Sequence, residues 1–313
     1  MIKYSFMSDI EQHLQVRAPA PDWFHRAIKQ QPESRRVNVK GCPIHYLLWQ
    51  PLDGAEDPAG LLFLHGGGAH AYWWGHIAPF FRTNFRVAAM DISGMGDSGS
   101  RTKYTATLRA EEIGAVIKDA GMAPKTYLVG HSFGGFMSMR YASMYGESLA
   151  GMVIVDSPLY LPGESDDRRR RANPMGALRL YSTFEEAVER FRLRPRQPCD
   201  NRFIIEYIAR HSIKQTEGGF TWKFDNQAMS GRRFAEPFHE HLAGANCRGA
   251  FFWAGNSALV TGEMAQYTVS LMDPDAPLVV IPDAHHHLIL DQPLAFVAAL
   301  RTLLAIWDRD RYN

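Results

Sequence analysis

The sequence has few cysteines, no long apolar run and almost no net charge. Its three cysteines are scattered, and none forms a C-x-x-C pair, so we interpret them as reduced structural residues. No apolar stretch reaches the roughly 18 residues of a membrane span. Residues 1–15 also lack the continuous apolar segment of a secretory signal. We therefore expect a cytoplasmic protein without a membrane span.

The charge balance argues against nucleic acid as a partner. With a formal net charge of +1, the chain has neither the basic surface typical of nucleic-acid-binding proteins nor an electrostatic attraction to membranes. Hydrophobic residues at 46% and charged residues at 21% are typical of a soluble globular protein. A length of 313 residues is enough for one large α/β domain with an insertion, or for two small domains.

Short apolar runs alternate with helix-length segments over most of the chain. The predicted strands are 37–40, 44–49, 61–64, 85–90, 126–129, 152–155, 250–254 and 278–281. The predicted helices of this part are 73–81, 105–120, 132–145 and 292–307. The first two strands form a hairpin because only a short Gly-containing connection separates them. The alternation predicts an α/β fold, a mostly parallel eight-stranded sheet with helices on both faces.

The alternation fails between residues 158 and 237. We predict that 158–237 is a helical cap inserted after the sixth strand, between core parts at 37–157 and 238–313, with 1–36 as an N-terminal extension packed on the core. Four consecutive arginines at 168–171 are either a clamp for phosphate or carboxylate or the solvated start of a helix. The sequence leaves open whether the cap mediates a homodimer.

A serine between small residues follows one of the buried strands. Gly130-His131-Ser132-Phe133-Gly134 comes directly after the run 126–129 and opens a predicted helix, which is the context of the nucleophile elbow G-x-S-x-G. A serine hydroxyl needs both a base and a sharp turn that presents it. The glycines remove Cβ atoms that would clash in so tight a turn.

Four segments together resemble the α/β-hydrolase superfamily, in its serine-nucleophile, esterase-like branch with a cap. They are Leu64-His65-Gly66-Gly67-Gly68, Asp91-Ile92-Ser93-Gly94-Met95-Gly96-Asp97-Ser98, the elbow, and Pro282-Asp283-Ala284-His285-His286-His287. They occur in the family's order, and the chain order of nucleophile, acid and histidine also agrees with it.

The resemblance implies a role for several residues. Ser132 would be the nucleophile, and the backbone N–H groups of Gly67 and Phe133 would form the oxyanion hole. Of the three consecutive histidines, His286 aligns with the catalytic base, with His287 and then His285 as the alternatives. A triple histidine could instead bind a metal, but no cluster of acids or cysteines supports a zinc site. We expect neither a metal nor an organic cofactor.

The position of the catalytic acid, the carboxylate that orients the histidine base, departs from the family's usual pattern. Most of the family carries it after the strand that follows the cap, where this chain has Ala258, and alanine cannot orient an imidazole. Some members carry it after the preceding strand, where this chain has Asp156, and we therefore predict Asp156 as the acid. It could instead be only a turn residue beside Pro158. Asp283, close to His286 in sequence, is a less favoured candidate.

The elbow residue narrows the chemistry. Dehalogenases and epoxide hydrolases of this family use aspartate there, so Ser132 favours acyl transfer to water. We expect a small to medium, mainly apolar carboxylic ester as the substrate. The aromatic and methionine side chains expected at the pocket are Trp73, Met95, Phe136 and Trp222, with Trp74, Phe133 and Phe224 beside them. Two alternatives remain: a serine C–C bond hydrolase of the meta-cleavage type and a non-catalytic ligand-binding protein on the same fold.

Overall fold

The protein is built around a sheet of eight mostly parallel strands. The computed structural model describes residues 13–52, 58–163, 178–229 and 236–309. The strands within these ranges are β1 (Glu33–Val39), β2 (Cys42–Trp49), β3 (Ala59–Leu64), β4 (Phe85–Met90), β5 (Thr126–His131), β6 (Leu149–Val155), β7 (Ile213–Thr216), β8 (Gly219–Trp222), β9 (Gly249–Ala254) and β10 (Leu278–Ile281). Eight of them form one sheet in the order β1-β2-β4-β3-β5-β6-β9-β10, antiparallel only at β1–β2 and β2–β4. The predicted α/β fold with a mostly parallel eight-stranded sheet is confirmed.

Helices cover both faces of this sheet because its strands alternate their buried side chains between two cores. Leu61 and Phe63 of β3 belong to one hydrophobic cluster, and Leu62 and Leu64 belong to the other. The helices that pack on the two faces are α1 (Asp22–Ile28), α2 (Ala106–Asp119), α3 (Phe133–Tyr145), α8 (Gly262–Ser270), α9 (Leu288–Asp291) and α10 (Pro293–Arg309). In the described part of the chain, no helix is both long and apolar enough to span a bilayer.

The segment between β6 and β9 interrupts the α/β alternation, as predicted, and we call residues 156–248 the insertion. Its described elements are α4 (Phe184–Glu189), α5 (Arg202–His211), the strands β7 and β8, α6 (Asn226–Met229) and α7 (Phe238–Ala243). Besides these helices it contains an antiparallel hairpin of β7 and β8, which the prediction of a helical cap did not include. The hairpin turn uses Gly218 and Gly219 at φ of 93° and 142°, a conformation that other residues adopt only with strain.

Two expectations about this region stay predictions. The first concerns the arginines at 168–171, read as an anion clamp or a solvated helix start, which lie outside the described residues. The proposed domain boundaries at 36, 157 and 237 also stay predictions, although the described elements at 184–229 do lie between the two core parts.

The sheet brings four loops together at one edge. The loops after β3, β5, β6 and β10 all leave the carboxyl ends of parallel strands, where open α/β sheets hold their ligands. These loops contain the glycine run at 66–68, Ser132, Asp156 and His286, so residues far apart in sequence become neighbours.

Candidate active site

Ser132 lies at a strained turn between β5 and α3. Its backbone has φ 51° and ψ −113°, an unusual conformation for a residue other than glycine. A Cβ on Gly134 would lie 2.6 Å from the carbonyl oxygen of Leu64, so only glycine lets the helix start this close to β3. The turn therefore presents the Ser132 hydroxyl at the strand edge, as the elbow motif predicts.

Ser132, His286 and Asp156 form one continuous chain of hydrogen bonds. The Ser132 hydroxyl lies 3.0 Å from His286 Nε2, and His286 Nδ1 lies 2.8 Å from Asp156 Oδ2. Because a carboxylate can only accept, Nδ1–H is the donor to Asp156, and Nε2 is left to accept the serine proton. The structure thus brings together the three residues that the sequence singled out.

Asp156 is fully buried and accepts hydrogen bonds on both oxygens. Oδ1 accepts from the Ala254 N–H at 3.0 Å, and Oδ2 accepts from the Ser257 hydroxyl at 2.6 Å as well as from His286. The sequence reasoning missed Ser257, although it stands directly before Ala258 in the segment where the acid was first sought. Asp283, the less favoured candidate, is an exposed turn residue with φ 53°.

The other two histidines of the run have different partners. His285 donates through its ring and its backbone to Asp291 Oδ2, at 3.1 and 2.8 Å. His287 donates its Nε2–H to the Arg194 carbonyl at 3.1 Å, and its backbone N–H to Gln197 Oε1 at 2.9 Å. His286 is the one of the three that contacts Ser132.

A fourth imidazole, that of His131, joins the turn that carries Ser132 to residues 282–287, which we call the histidine loop. Its Nε2–H donates to the carbonyl oxygen of His286 at 2.9 Å. Burial, followed by the nearby His286 charge, lowers the pKa of His131 to about 3. Burial also holds the pKa of His287 well below its usual range. Both rings are therefore neutral near pH 7.

These imidazoles also form a candidate metal-ligating cluster. Ring nitrogens of His131, His286 and His287 lie within 4.8 Å of one another. However, both nitrogens of His286 already have hydrogen-bond partners, and His131 and His287 each use Nε2–H on a carbonyl. The arrangement favours a proton relay, and the expectation that no metal binds stays a prediction.

The glycine run after β3 and the start of α3 face the Ser132 hydroxyl. Gly67 and Phe133 both line the cavity at Ser132. Phe133 is the first residue of α3, where helix N–H groups have no intrahelical acceptor. In the glycine run, Gly68, which follows Gly67, donates its N–H to the Met95 sulfur at 3.3 Å. Both predicted donors therefore lie in the lining of the cavity that contains Ser132, and their oxyanion role stays a prediction.

Asp91 holds the neighbouring loop together. Its carboxylate accepts hydrogen bonds from the N–H groups of Ala71 (2.6 Å) and Asp97 (2.8 Å) and from His45 Nδ1–H (2.7 Å). Burial alone would raise the pKa of Asp91, but the hydrogen bond and charge of His45 outweigh burial and lower it well below its usual range. A structural role for Asp91 fits this network of backbone contacts.

Ser132 opens into a cavity of about 900 Å³ between the sheet edge and the insertion. Trp73, Phe136 and Trp222 line it, as predicted. Met95 does not line it: this fully buried side chain packs behind the glycine loop, and its backbone pairs with Phe224. Trp74 is also directed away and stacks on Phe63 with ring centroids 4.6 Å apart.

The cavity also contains charged residues that the sequence analysis did not anticipate. Besides the aromatic residues, its lining contains a set of cations that the predictions did not include: Arg179, Arg190, Arg192, Arg194, Arg196 and Lys223. A signal for four of them was visible as arginine at every second position from 190 to 196. Arg190 has helical backbone angles at the end of α4, and Phe191 and Pro195 line the cavity as well, so the segment is not a regular strand with one arginine face.

Comparison with known proteins relates this arrangement to a large family. Residues 61–300 match the model of the family described as "Alpha/beta hydrolase family". The chain is 28% identical over 139 residues to a pimeloyl-[acyl-carrier protein] methyl ester esterase of Aeromonas hydrophila, covering 42% of this chain and 51% of that protein. It is 29% identical over 127 residues to a 2-hydroxy-6-oxo-6-(2'-aminophenyl)hexa-2,4-dienoic acid hydrolase of Metapseudomonas resinovorans, covering 39% and 42%.

Solved structures agree on the fold. The structure of E-2-(acetamidomethylene)succinate hydrolase superimposes with a TM-score of 0.73 at 21% identity, over 88% of this chain and 99% of that one. This likeness concerns the fold alone. The chain spans about half the length of several curated relatives that it matches.

Proposed function

Because the chain belongs to the alpha/beta hydrolase family, we propose that it is a serine hydrolase that cleaves a carboxylic ester through an acyl-enzyme. The observation that carries the proposal is the relay from Ser132 through His286 to Asp156, with contacts of 3.0 and 2.8 Å. These distances are within the range required for proton transfer between a nucleophile and its base.

In the first step Ser132 Oγ attacks the ester carbonyl carbon while His286 Nε2 takes its proton. The carbonyl oxygen becomes an oxyanion, which the backbone N–H groups of Gly67 and Phe133 would stabilise. Asp156 accepts the Nδ1–H bond and stabilises the imidazolium that forms. Collapse of the intermediate expels the alkoxide, which takes the proton back from His286 Nε2 and leaves the acyl group on Ser132.

In the second step water acts as the nucleophile in place of Ser132. His286 Nε2 removes a proton from water, and the resulting hydroxide attacks the acyl carbon of the Ser132 ester. The second oxyanion collapses, Ser132 leaves as the alkoxide, and His286 returns the proton to it. The products are a carboxylic acid and the regenerated enzyme.

A C–C bond hydrolase is the second candidate, supported by the likeness to the dienoic acid hydrolase. Such a reaction would use the same Ser132 and His286. Comparing kcat/KM for an aryl ester with kcat/KM for a vinylogous diketone acid separates the two reactions. A clear preference for the diketone would replace the esterase proposal.

We also propose a cytoplasmic location. All three cysteines are free, and Cys42 and Cys199 are buried. Proteins of reducing compartments characteristically keep their cysteines in this state.

The proposal is tested with 4-nitrophenyl hexanoate and a fluorophosphonate probe. The wild type should turn over the ester and react with the probe, and Ser132→Ala should lose both because no nucleophile remains. Ser143→Ala, which changes a half-buried serine of α3 outside the cavity, is the matched control and should behave as the wild type. Either of two results would contradict the proposal: ester turnover by Ser132→Ala at the wild-type rate, or a wild type that neither hydrolyses the ester nor reacts with the probe.

A further inference from the structure

The wall that the insertion contributes to the cavity is strongly cationic. Its lining residues include the arginines at positions 179, 190, 192, 194 and 196. Among the described residues of the cavity lining there is no aspartate or glutamate. The arginines therefore all belong to the part of the lining that the insertion contributes, where the Arg194 backbone contacts His287.

The arginine-bearing segment is held firmly against the core. Leu193 and Cys199 are buried in the main hydrophobic cluster, and Asn201 Nδ2 donates to the Leu290 carbonyl at 2.7 Å. Between these anchors, the Arg194 carbonyl accepts a hydrogen bond from the His287 ring, and Gln197 Oε1 accepts one from the backbone N–H of His287. The backbone that presents the arginines is thus fixed next to the base, so little ordering is needed on binding.

Most of these arginines have no counter-charge within the described part of the chain. Arg179, Arg190, Arg194 and Arg196 form no ion pair there, whereas Lys223 is paired with Asp97 at 2.9 Å. Some other arginines among the described residues are paired with carboxylates. Arg210 of the insertion, for example, contacts Glu185 at 3.0 Å and Glu206 at 2.8 Å. Among the described residues, the cavity wall therefore has several guanidinium groups that no carboxylate neutralises and that can bind an anion.

We propose that the natural substrate carries a carboxylate in addition to its scissile ester, and that Arg190 and Arg194, with Arg179 beside them, bind this carboxylate. The inference rests on the proposed function and specifies its substrate class. A guanidinium offers a planar fork of donors that matches a carboxylate. The aromatic lining at Trp73 and Phe136 would accommodate the chain that joins the carboxylate to the ester. This amends the expectation of a mainly apolar substrate.

Two matched esters test the inference. Mono-4-nitrophenyl adipate and 4-nitrophenyl hexanoate have the same leaving group and six-carbon acyl chain, and only the first carries a terminal carboxylate. We expect kcat/KM for the adipate ester to exceed that for the hexanoate ester by about 10-fold or more, the effect of one charge-assisted contact. Added NaCl should reduce this preference because it screens exposed charges.

A double variant assigns the preference to the arginines. Arg190→Gln/Arg194→Gln should reduce the adipate-to-hexanoate ratio of kcat/KM by about 10-fold. Arg202→Gln is the control, because Arg202 is an exposed arginine of the same insertion that does not line this cavity. It should leave the ratio unchanged.

The outcomes distinguish this inference from the proposed function. Turnover of both esters with equal kcat/KM would overturn the inference and leave the esterase proposal standing. A preference that survives the double variant would also overturn it. Turnover of neither ester would overturn the proposed function, and this inference with it.

Discussion

At the scale of single residues, the site depends on where its carboxylate comes from. The segment after β9 has Ala258 where an acid is usual, yet this segment still contributes the Ser257 hydroxyl, which donates to Asp156 at 2.6 Å. The carboxylate itself comes from the end of β6, one strand closer to the nucleophile. The chain therefore keeps a polar contact from the later loop but places the negative charge on the earlier one.

Replacing Asp156 with asparagine should remove most activity while keeping the shape of the site. An amide cannot stabilise the imidazolium and favours the wrong imidazole tautomer, so we expect kcat for 4-nitrophenyl hexanoate to fall by about 10⁴-fold. Steady-state kinetics measures this directly. Asp283→Asn, a change at an exposed turn in the histidine loop, is the control and should keep wild-type kcat. Near-normal turnover by Asp156→Asn would remove Asp156 from the mechanism.

The sequence predicted these residues unequally, for physical reasons. Ser132 and His286 could be identified because backbone strain at the elbow and a short loop at the chain's end leave local patterns. Asp156 has no such local pattern, and it was predicted only because Ala258 occupies the usual place and the resemblance offers the end of the preceding strand instead. Met95 was misassigned because a tight loop can direct a side chain either into the cavity or behind the glycine run. Sequence alone does not determine that direction.

At the scale of elements, one glutamine joins the insertion to the histidine loop. Gln197 Oε1 accepts from the His287 N–H at 2.9 Å, and its Nε2–H donates to Asp291 Oδ2 at 2.9 Å. Asp291 in turn accepts from His285. The arginine-bearing segment and the loop of the base therefore share one hydrogen-bond network.

Gln197→Ala should weaken both elements together. It removes two hydrogen bonds and leaves the His287 N–H without this acceptor, so we expect the free energy of unfolding to fall by about 1–2 kcal/mol. Urea denaturation measures the loss. Gln215→Ala, at an exposed position of β7 in the same insertion, should cost less than about 0.5 kcal/mol. A loss for Gln197→Ala no larger than that for Gln215→Ala would show that the network does not stabilise the fold.

The position of the cavity arginines also depends on how the elements pack. The alternation of arginine from 190 to 196 could be seen in the sequence, but nothing local indicates which surface this segment faces. Its position depends on anchors such as Leu193 and Cys199, which are buried against the core. The sequence therefore indicated that an insertion exists, while its boundaries stay predictions and its arginines at the cavity were not foreseen.

At the scale of the whole molecule, several buried histidines make stability depend on pH. Burial lowers the pKa of His76 and His211 to about 4 and that of His131 to about 3. Above pH 6.5 these residues are neutral in both the folded and the unfolded states. Below it the unfolded chain takes up their protons first, so the folded state loses stability as pH falls from about 6.5 towards 4.

We expect the free energy of unfolding to be lower at pH 5.5 than at pH 7.5. Each such histidine contributes up to about 1.4 kcal/mol per pH unit within that window. Urea denaturation at the two pH values measures the difference, and His76→Gln should reduce it by about 1 kcal/mol. The exposed His239 serves as the control in His239→Gln, which should leave the difference unchanged. A difference that is the same in His76→Gln and the wild type would contradict this assignment.

The bond from His131 to the His286 carbonyl has a mechanical consequence. Residues 131 and 286 are 155 positions apart, and each is adjacent to, or itself part of, the reacting pair. This bond and the contact between Ser132 and His286 Nε2 couple the two loops directly, so a displacement of either loop is opposed at two points. Hydroxyl and imidazole can therefore keep their separation while the rest of the sheet edge fluctuates around a substrate.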